Sequence, residues 1–316
     1  MIGQDEIEGA ARRLAPHIRE TPILTLEPGA MELPGRIVLK LELLQHAGSF
    51  KARGAFNRIL SADVPAAGVI AASGGNHGIA TALAARTLGH KAEIFVPEIS
   101  APVKVARLKA LGARVHVTGR DYQASLEASE ARAQDSGALV VHAYNQPEVL
   151  AGQGTAGREF ERQAPGLDTL LVACGGGGLI GGIAAWFRSR VRVVGVEPER
   201  CPTLSRALAA GRPVDIEPGG LAADSLGARR AGEMAFEIAK AHVARVALVS
   251  DAAIRRAQLA LWKTLRIAAE PGGAAALAAL LSGAYVPAAK ERVGVLVCGG
   301  NVDPASLNET PEEASP

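Results

Sequence analysis

Short apolar runs separated by helical stretches recur along the whole chain, and this alternation limits the possible folds more than any other feature. The runs are Ile37–Leu41, Val69–Ala72, Ala92–Val96, Val115–Thr118, Leu139–His142, Thr169–Ala173, Arg192–Val196, Val243–Val249 and Val293–Cys298. Most are continuous rather than alternating in polarity, as suits strands covered on both faces in a parallel sheet. Between them, Ser250 can cap a helix whose Ile254, Ala257, Leu261, Leu265 and Ala268 share one side. Gly89, Gly112 and Gly137 each follow a helical stretch and precede a strand, where a left-handed residue commonly ends the helix. Strand and helix in alternation imply an α/β fold with right-handed crossovers.

That many strands exceed one comfortable doubly wound unit. Two open, mostly parallel sheets flanked by helices are therefore expected, and 316 residues suit two domains of about 150 each. Residues 68–145 would form a small domain of four strands, and residues 1–67 plus 146–316 a large one. Asn308–Pro316 reads as a loose tail.

Composition excludes several function classes. Apolar residues make up 48% of the chain, enough for a sizeable core. Lys and Arg number 34 against 32 Asp and Glu, with no long block of one sign, which argues against nucleic-acid binding through a basic stripe. Six Phe, two Trp and three Tyr leave little for stacking on bases. No apolar run is long enough to span a membrane, and Asp5, Glu6 and Glu8 interrupt any secretory signal. Three cysteines, Cys174, Cys201 and Cys298, do not make a disulfide framework. A soluble cytoplasmic protein is the expectation.

Five segments could carry chemistry. In Ser49-Phe50-Lys51-Ala52-Arg53-Gly54-Ala55, Lys51 opens a helix, where the macrodipole disfavours a cation. Such a place suits an amine that must lose its proton and can form a Schiff base with an aldehyde. Ser73-Gly74-Gly75-Asn76-His77-Gly78 lies between an apolar run and a helix read to start near Ile79. Its amides could bind a carboxylate, or it could be a turn capped by Ser73 or Asn76. Gly175-Gly176-Gly177-Gly178 follows another run; successive amides there make a nest for phosphate. It lacks the Walker pattern and fits a dinucleotide fingerprint only loosely, through Gly176, Gly178 and Gly181. Val297-Cys298-Gly299-Gly300-Asn301 ends the last run, and Glu270-Pro271-Gly272-Gly273-Ala274 could simply start a helix.

Together these segments, with Val149–Thr155 (V-L-A-G-Q-G-T), resemble the fold-type II pyridoxal-phosphate enzymes, the tryptophan synthase β-like fold. The similarity is strongest to the serine/threonine dehydratase and serine racemase branch, and runs from Thr21-Pro22 to Asn301. The resemblance implies that Lys51 carries pyridoxal 5'-phosphate in Schiff-base linkage and that Phe50 packs on its ring. It places Asn76 at the ring 3-oxygen and Gly175, Gly176, Gly177, Gly178 and Leu179 around the phosphate. Cys298 would face the pyridine nitrogen, and Ser73, Gly74, Asn76 and His77 would surround the substrate carboxylate. No metal ligands are assigned: Glu197, Glu217 and Asp224 are available, but Gly219–Asp224 departs from the family's usual pattern. Ser225 and Leu226 would line the side-chain end of the pocket.

The activity implied is loss of water from serine or threonine to give a 2-oxo acid and ammonia, with Lys51 taking the α-proton. A neutral Cys298, unlike an aspartate, would leave the ring nitrogen unprotonated and favour prompt loss of the β-substituent. In racemases of this family a second serine follows the first of the S-x-G-N-H-G segment; Gly74 stands there, which disfavours racemisation and weakens a hydroxyaspartate dehydratase reading. A phenylserine dehydratase or a β-replacement synthase stays open. A nicotinamide oxidoreductase using Gly175–Gly182 would leave Lys51 and Cys298 unexplained, and a non-catalytic amino-acid binder is the remaining alternative. A homodimer is expected from the resemblance and from the frequency of two-fold assemblies.

Overall fold

The computed structural model describes residues 2–33 and 35–308. Its strands are β1 (Ile23–Leu26), β2 (Arg36–Lys40), β3 (Val69–Ala72), β4 (Ala92–Val96), β5 (Arg114–Val117), β6 (Leu139–Val140), β7 (Thr169–Ala173), β8 (Arg192–Pro198), β9 (Val243–Val249) and β10 (Arg292–Leu296). They form two sheets flanked by helices. One is six-stranded in the order β1-β2-β10-β7-β8-β9, the other four-stranded in the order β5-β4-β3-β6. Every pairing is parallel except β1 with β2.

The apolar runs become strands for the reason their composition suggests. Every residue of β3, β4 and β7 is buried, since helices cover both faces. The edge strand β9 instead exposes Ala244, Arg245 and Leu248. Strand β1 was not expected: four residues with a central threonine carry little signal, and the antiparallel partner β2 makes the strand. Strand β6 is shorter than the expected Leu139–His142. The His142 N–H bonds to Gln146 Oε1, which turns the chain out of the sheet.

Helix boundaries follow local chemistry. Ser250 caps the helix Asp251–Leu265 by accepting from the Ala253 N–H. That helix stops at Arg266 (φ 57°), so Ala268 lies beyond it. The helix expected from Ile79 starts three residues earlier, at Asn76, with Gly75 as its cap. A Cβ at Gly78 would lie 2.0 Å from the Ser73 carbonyl, so the first turn folds tightly over the end of β3. The helix Gly178–Phe187 has no charged side chain and is buried at every residue. It crosses the helix Pro147–Gln163 at Gly154 and Gly182, where a Cβ on Gly182 would sit 2.3 Å from the Leu150 carbonyl. In the expected tail, Asn308 closes a short helical turn and the remainder lies outside the described residues.

A buried charge cluster fixes the helix Lys51–Leu60. Arg53 binds Glu42 through Nε and Nη2, both at 2.7 Å, and reaches Glu159 at 3.1 Å. Lys40, at the end of β2, bonds Glu159 and Gln163. Arg53, Glu42 and Lys40 are fully buried. Burial opposes the Glu42 charge most, but Arg53, Lys40 and Thr21 together outweigh it and hold the carboxyl below its ordinary range. Removing one partner leaves a charge in the core. Arg53→Ala is therefore expected to lower unfolding stability by about 3–5 kcal/mol, whereas Arg162→Ala, which breaks only the exposed pair with Glu20, costs under about 1 kcal/mol. Denaturant titration of the two variants measures the difference.

Candidate active site

The C-terminal ends of β2, β3, β7 and β10 lead into the segments singled out in the sequence, and the structure gathers these around one cavity. Open parallel sheets usually bind ligands at such ends. Lys51 is the first residue of its helix, after Phe50. The turn before it is laced to the exit of β10: the Phe50 N–H donates to the Cys298 carbonyl (3.1 Å), the Gly300 N–H to the Gly48 carbonyl (2.9 Å), and Ser49 bridges Gly299. Lys51 Nζ donates to the Ala143 carbonyl at 2.8 Å. Burial lowers the pKa of this amine to about 8, against the smaller opposing influence of Cys298 and Glu270.

The glycine run lines the same cavity as the amine. Gly175, Gly176, Gly177 and Gly178 connect β7 to the helix Gly178–Phe187, with Gly177 at φ 93°. A Cβ on Gly176 would lie 2.5 Å from the Tyr144 ring, and one on Gly175 2.9 Å from the Leu226 carbonyl. Glycine is thus required on both sides of the loop. The N–H groups of these four residues have no acceptor among the described residues. A cradle closed to side chains, with unpartnered donors beside a helix N-terminus, fits a phosphate. Phe50, Lys51, Asn76, the four glycines, Leu179 and Cys298 all line this cavity, as do Ser225 and Leu226. The residues present therefore suit pyridoxal phosphate: an amine for the aldehyde and a nest for the phosphate.

Burial disfavours charge on the other ionisable groups around the cavity. Burial pushes the Cys298 thiol up, with Glu270 adding to the effect, and its Sγ contacts the Gly272 carbonyl at 3.4 Å. Burial raises Glu270 to about 7 despite its bond from Asn76. It lowers His142 to about 4 and His77 to about 3, with the Lys51 charge adding to each. His77 Nε2 bonds the Val141 carbonyl at 2.8 Å, the part of a structural hydrogen-bonder. Asn76 does not cap its helix; its amide joins Glu270 and Asn301.

A wider cleft of about 420 Å³ shares Lys51, Asn76 and Tyr144 with this cavity and continues past Ser73, Gly74, Gly75 and His77 to Ile99 and Tyr122. Lys104 and Asp224 pair across it at 2.9 Å. Sequence reasoning missed Tyr144 and Tyr122, since a lone aromatic in a turn or first helical residue carries no signal of its own. Of the acidic candidates for a cation, Asp224 is thus paired and Glu197 accepts from the N–H groups of Leu204 and Ser205. Among the described residues no cluster of three or more His, Cys, Asp or Glu could hold a metal, and no helix is long and apolar enough to cross a membrane.

Comparison with known proteins identifies the family and the fold. The family model described as pyridoxal-phosphate dependent enzyme matches residues 14–299. The chain is similar to an L-threonine ammonia-lyase of Thermotoga maritima, 35% identical over 308 residues that cover 96% of this chain and 76% of the relative. It is similar also to a phenylserine dehydratase of Ralstonia pickettii, 37% identical over 310 residues covering 95% and 94%. Among solved structures, maize serine racemase superposes with a TM-score of 0.91 at 32% identity, covering 96% of this chain and 95% of the other.

The depressed pKa gives a direct prediction. In the cofactor-free protein, the rate at which Lys51 reacts with an amine-directed acylating reagent rises with pH through a midpoint of about 8, while exposed lysines titrate near 10.4. Mass spectrometry of peptides labelled across the pH range reads both. The unfolded chain holds this proton more tightly, so the group's contribution to stability is present at high pH and lost as pH falls through about 8.

Proposed function

The chain belongs to the pyridoxal-phosphate dependent enzyme family, and from that premise we propose that it is a lyase that removes water from serine or threonine to yield a 2-oxo acid and ammonia. One observation carries the reading: a desolvated amine, Lys51, and unpartnered glycine amides line the same cavity as a neutral Cys298. When bound, the cofactor supplies an electron sink that weakens the bonds around the substrate's α-carbon.

The chain's own residues supply the rest. The amides of Gly175–Gly178 would hold the phosphate, and Phe50 and Leu179, which line the same cavity, would lie against the rest of the group. As a free amine, Lys51 would be a base whose pKa of about 8 lies close to working pH, as suits removal of the α-proton. Cys298 remains a thiol and leaves the ring nitrogen without a strong proton donor. At the start of its helix the turn Ser73–His77 would offer the substrate carboxylate the backbone N–H groups of Gly74, Asn76 and His77, since those of Ser73 and Gly75 already bond the Phe95 carbonyl and Ser73 Oγ. Loss of the β-hydroxyl as water leaves an enamine, and hydrolysis of its imine returns that water and releases ammonia.

The size of the outer cleft favours a second substrate reading within the same chemistry. About 420 Å³ lined by Ile99, Tyr122 and Tyr144 is more than a methyl group needs and would accept an aryl β-substituent. We also read the protein as a cytoplasmic homodimer, in keeping with three free, buried cysteines.

Three measurements test this. Threonine and serine yield 2-oxobutanoate and pyruvate with equimolar ammonia, and Lys51→Ala lowers the rate by about 10³-fold or more; absence of any 2-oxo acid from the reconstituted wild type would overturn the proposal. Phenylserine compared with threonine at equal concentration decides whether the aryl reading holds. Gly74→Ser restores the hydroxyl that racemases of the family carry. A Cβ there meets Ser100 Oγ at 3.3 Å, a hydroxyl that can turn aside, and Val96 Cγ1 at an ordinary 3.6 Å, so the variant folds and forms D-serine at a rate the wild type lacks, read by chiral chromatography.

A further inference from the structure

We infer that Asn301 is a positioning residue: its amide decides which end of the Asn76 side chain faces the Lys51 cavity. The inference rests on the reading above, in which that cavity holds pyridoxal phosphate with Asn76 at its ring oxygen.

The turn before Lys51 contains a strained residue. Ala47, four positions before Lys51, sits in the left-handed region at φ 63°, which is unfavourable for a side chain with a Cβ. In that conformation its carbonyl accepts from Asn301 Nδ2 at 2.9 Å. A carbonyl can only accept, so the nitrogen end of the Asn301 amide is the one that faces Ala47. The same Nδ2 donates its second proton to Asn76 Oδ1 at 2.6 Å. Asn76 is thereby left with its Nδ2 pointing the other way, where it donates to Glu270 Oε1 at 2.5 Å on the wall of the cavity.

The direction of the whole chain is therefore set at one end, by a backbone carbonyl that cannot rotate. Two glycines keep the path open. A Cβ on Gly48 would lie 2.4 Å from Asn301 Oδ1, and one on Gly299 would lie 1.8 Å from Glu270 Oε1. The chain joins the turn before Lys51, the exit of β10, the start of the helix after β3 and the residue before the helix Pro271–Leu281. A donor held toward the ring oxygen favours the form of the bound cofactor in which that oxygen is ionised, because hydrogen bonds to a charged oxygen are the stronger kind. Without Asn301 the Asn76 amide can turn over and present its carbonyl instead.

The experiment reads absorbance of the reconstituted protein as the ratio of the visible band, in which the ring oxygen is ionised, to the near-ultraviolet band, in which it is protonated. Asn301→Ala is expected to lower this ratio by about tenfold, as Asn76→Ala does, with the melting curve of the cofactor-free protein recorded beside it. Asn301→Asp, of the same shape but without the donor, lowers it in the same direction and serves where the alanine variant does not fold. In an Asn76→Ala background, Asn301→Ala changes the ratio by less than about twofold, since its effect passes through Asn76. An unchanged ratio in either folded single variant overturns the inference, and so does full additivity in the double variant. If the wild type forms no visible band with excess cofactor, and borohydride leaves Lys51 unlabelled, the family reading of the cavity fails first.

Discussion

Arg53 has no contact with solvent, and its carboxylate partners come from separate parts of the chain: Glu42 follows β2, and Glu159 lies near the end of the helix Pro147–Gln163. Two buried cations and two carboxylates are balanced there, so the helix that carries Lys51 cannot shift without stranding a charge in the core. The helix packs its other buried residues, Ala52, Ala55, Phe56 and Ile59, with the core under the four-stranded sheet. One short helix is thus tied electrostatically on one side and by apolar contact on the other. The amine at its first residue inherits that rigidity.

Rigidity matters because the chemistry depends on what surrounds the amine. Desolvation acts in the same sense on every ionisable group near it: it disfavours charge on Lys51, His77, His142, Glu270 and Cys298 alike. Charge on the protein's own groups is consequently costly there, and the charges of a bound group weigh heavily in the field. The phosphate side is the exception, where aligned amides and a helix N-terminus supply positive potential without an ion. Tyr144 completes that side by packing so closely on Gly176 that no larger residue fits.

The β10 exit has a second task. By lacing to the Lys51 turn through Phe50, Ser49 and Gly48, it holds Cys298 and Asn301 at fixed distance from the amine. Cys298 then contributes neutrality and Asn301 contributes direction, from residues three apart on one segment.

The alternation of apolar runs with helical stretches was enough, by itself, to indicate an α/β fold with two sheets, because periodicity and burial on both faces are local properties of composition. The cap at Ser250 and the left-handed glycines after three helices were legible for the same reason. So were Lys51 and the glycine run as chemically unusual positions, whereas Cys298 stood out only through the family resemblance. Tertiary structure alone decided that β1 pairs antiparallel with β2, that Asn76 begins its helix rather than capping it, and that His77 turns to a backbone carbonyl. It also brought Glu270 and Asn301 to Asn76 across 194 and 225 residues of chain. Contacts at such separations depend on how sheets and helices close on one another, and side-chain geometry of that kind leaves no periodic trace in the order of the residues.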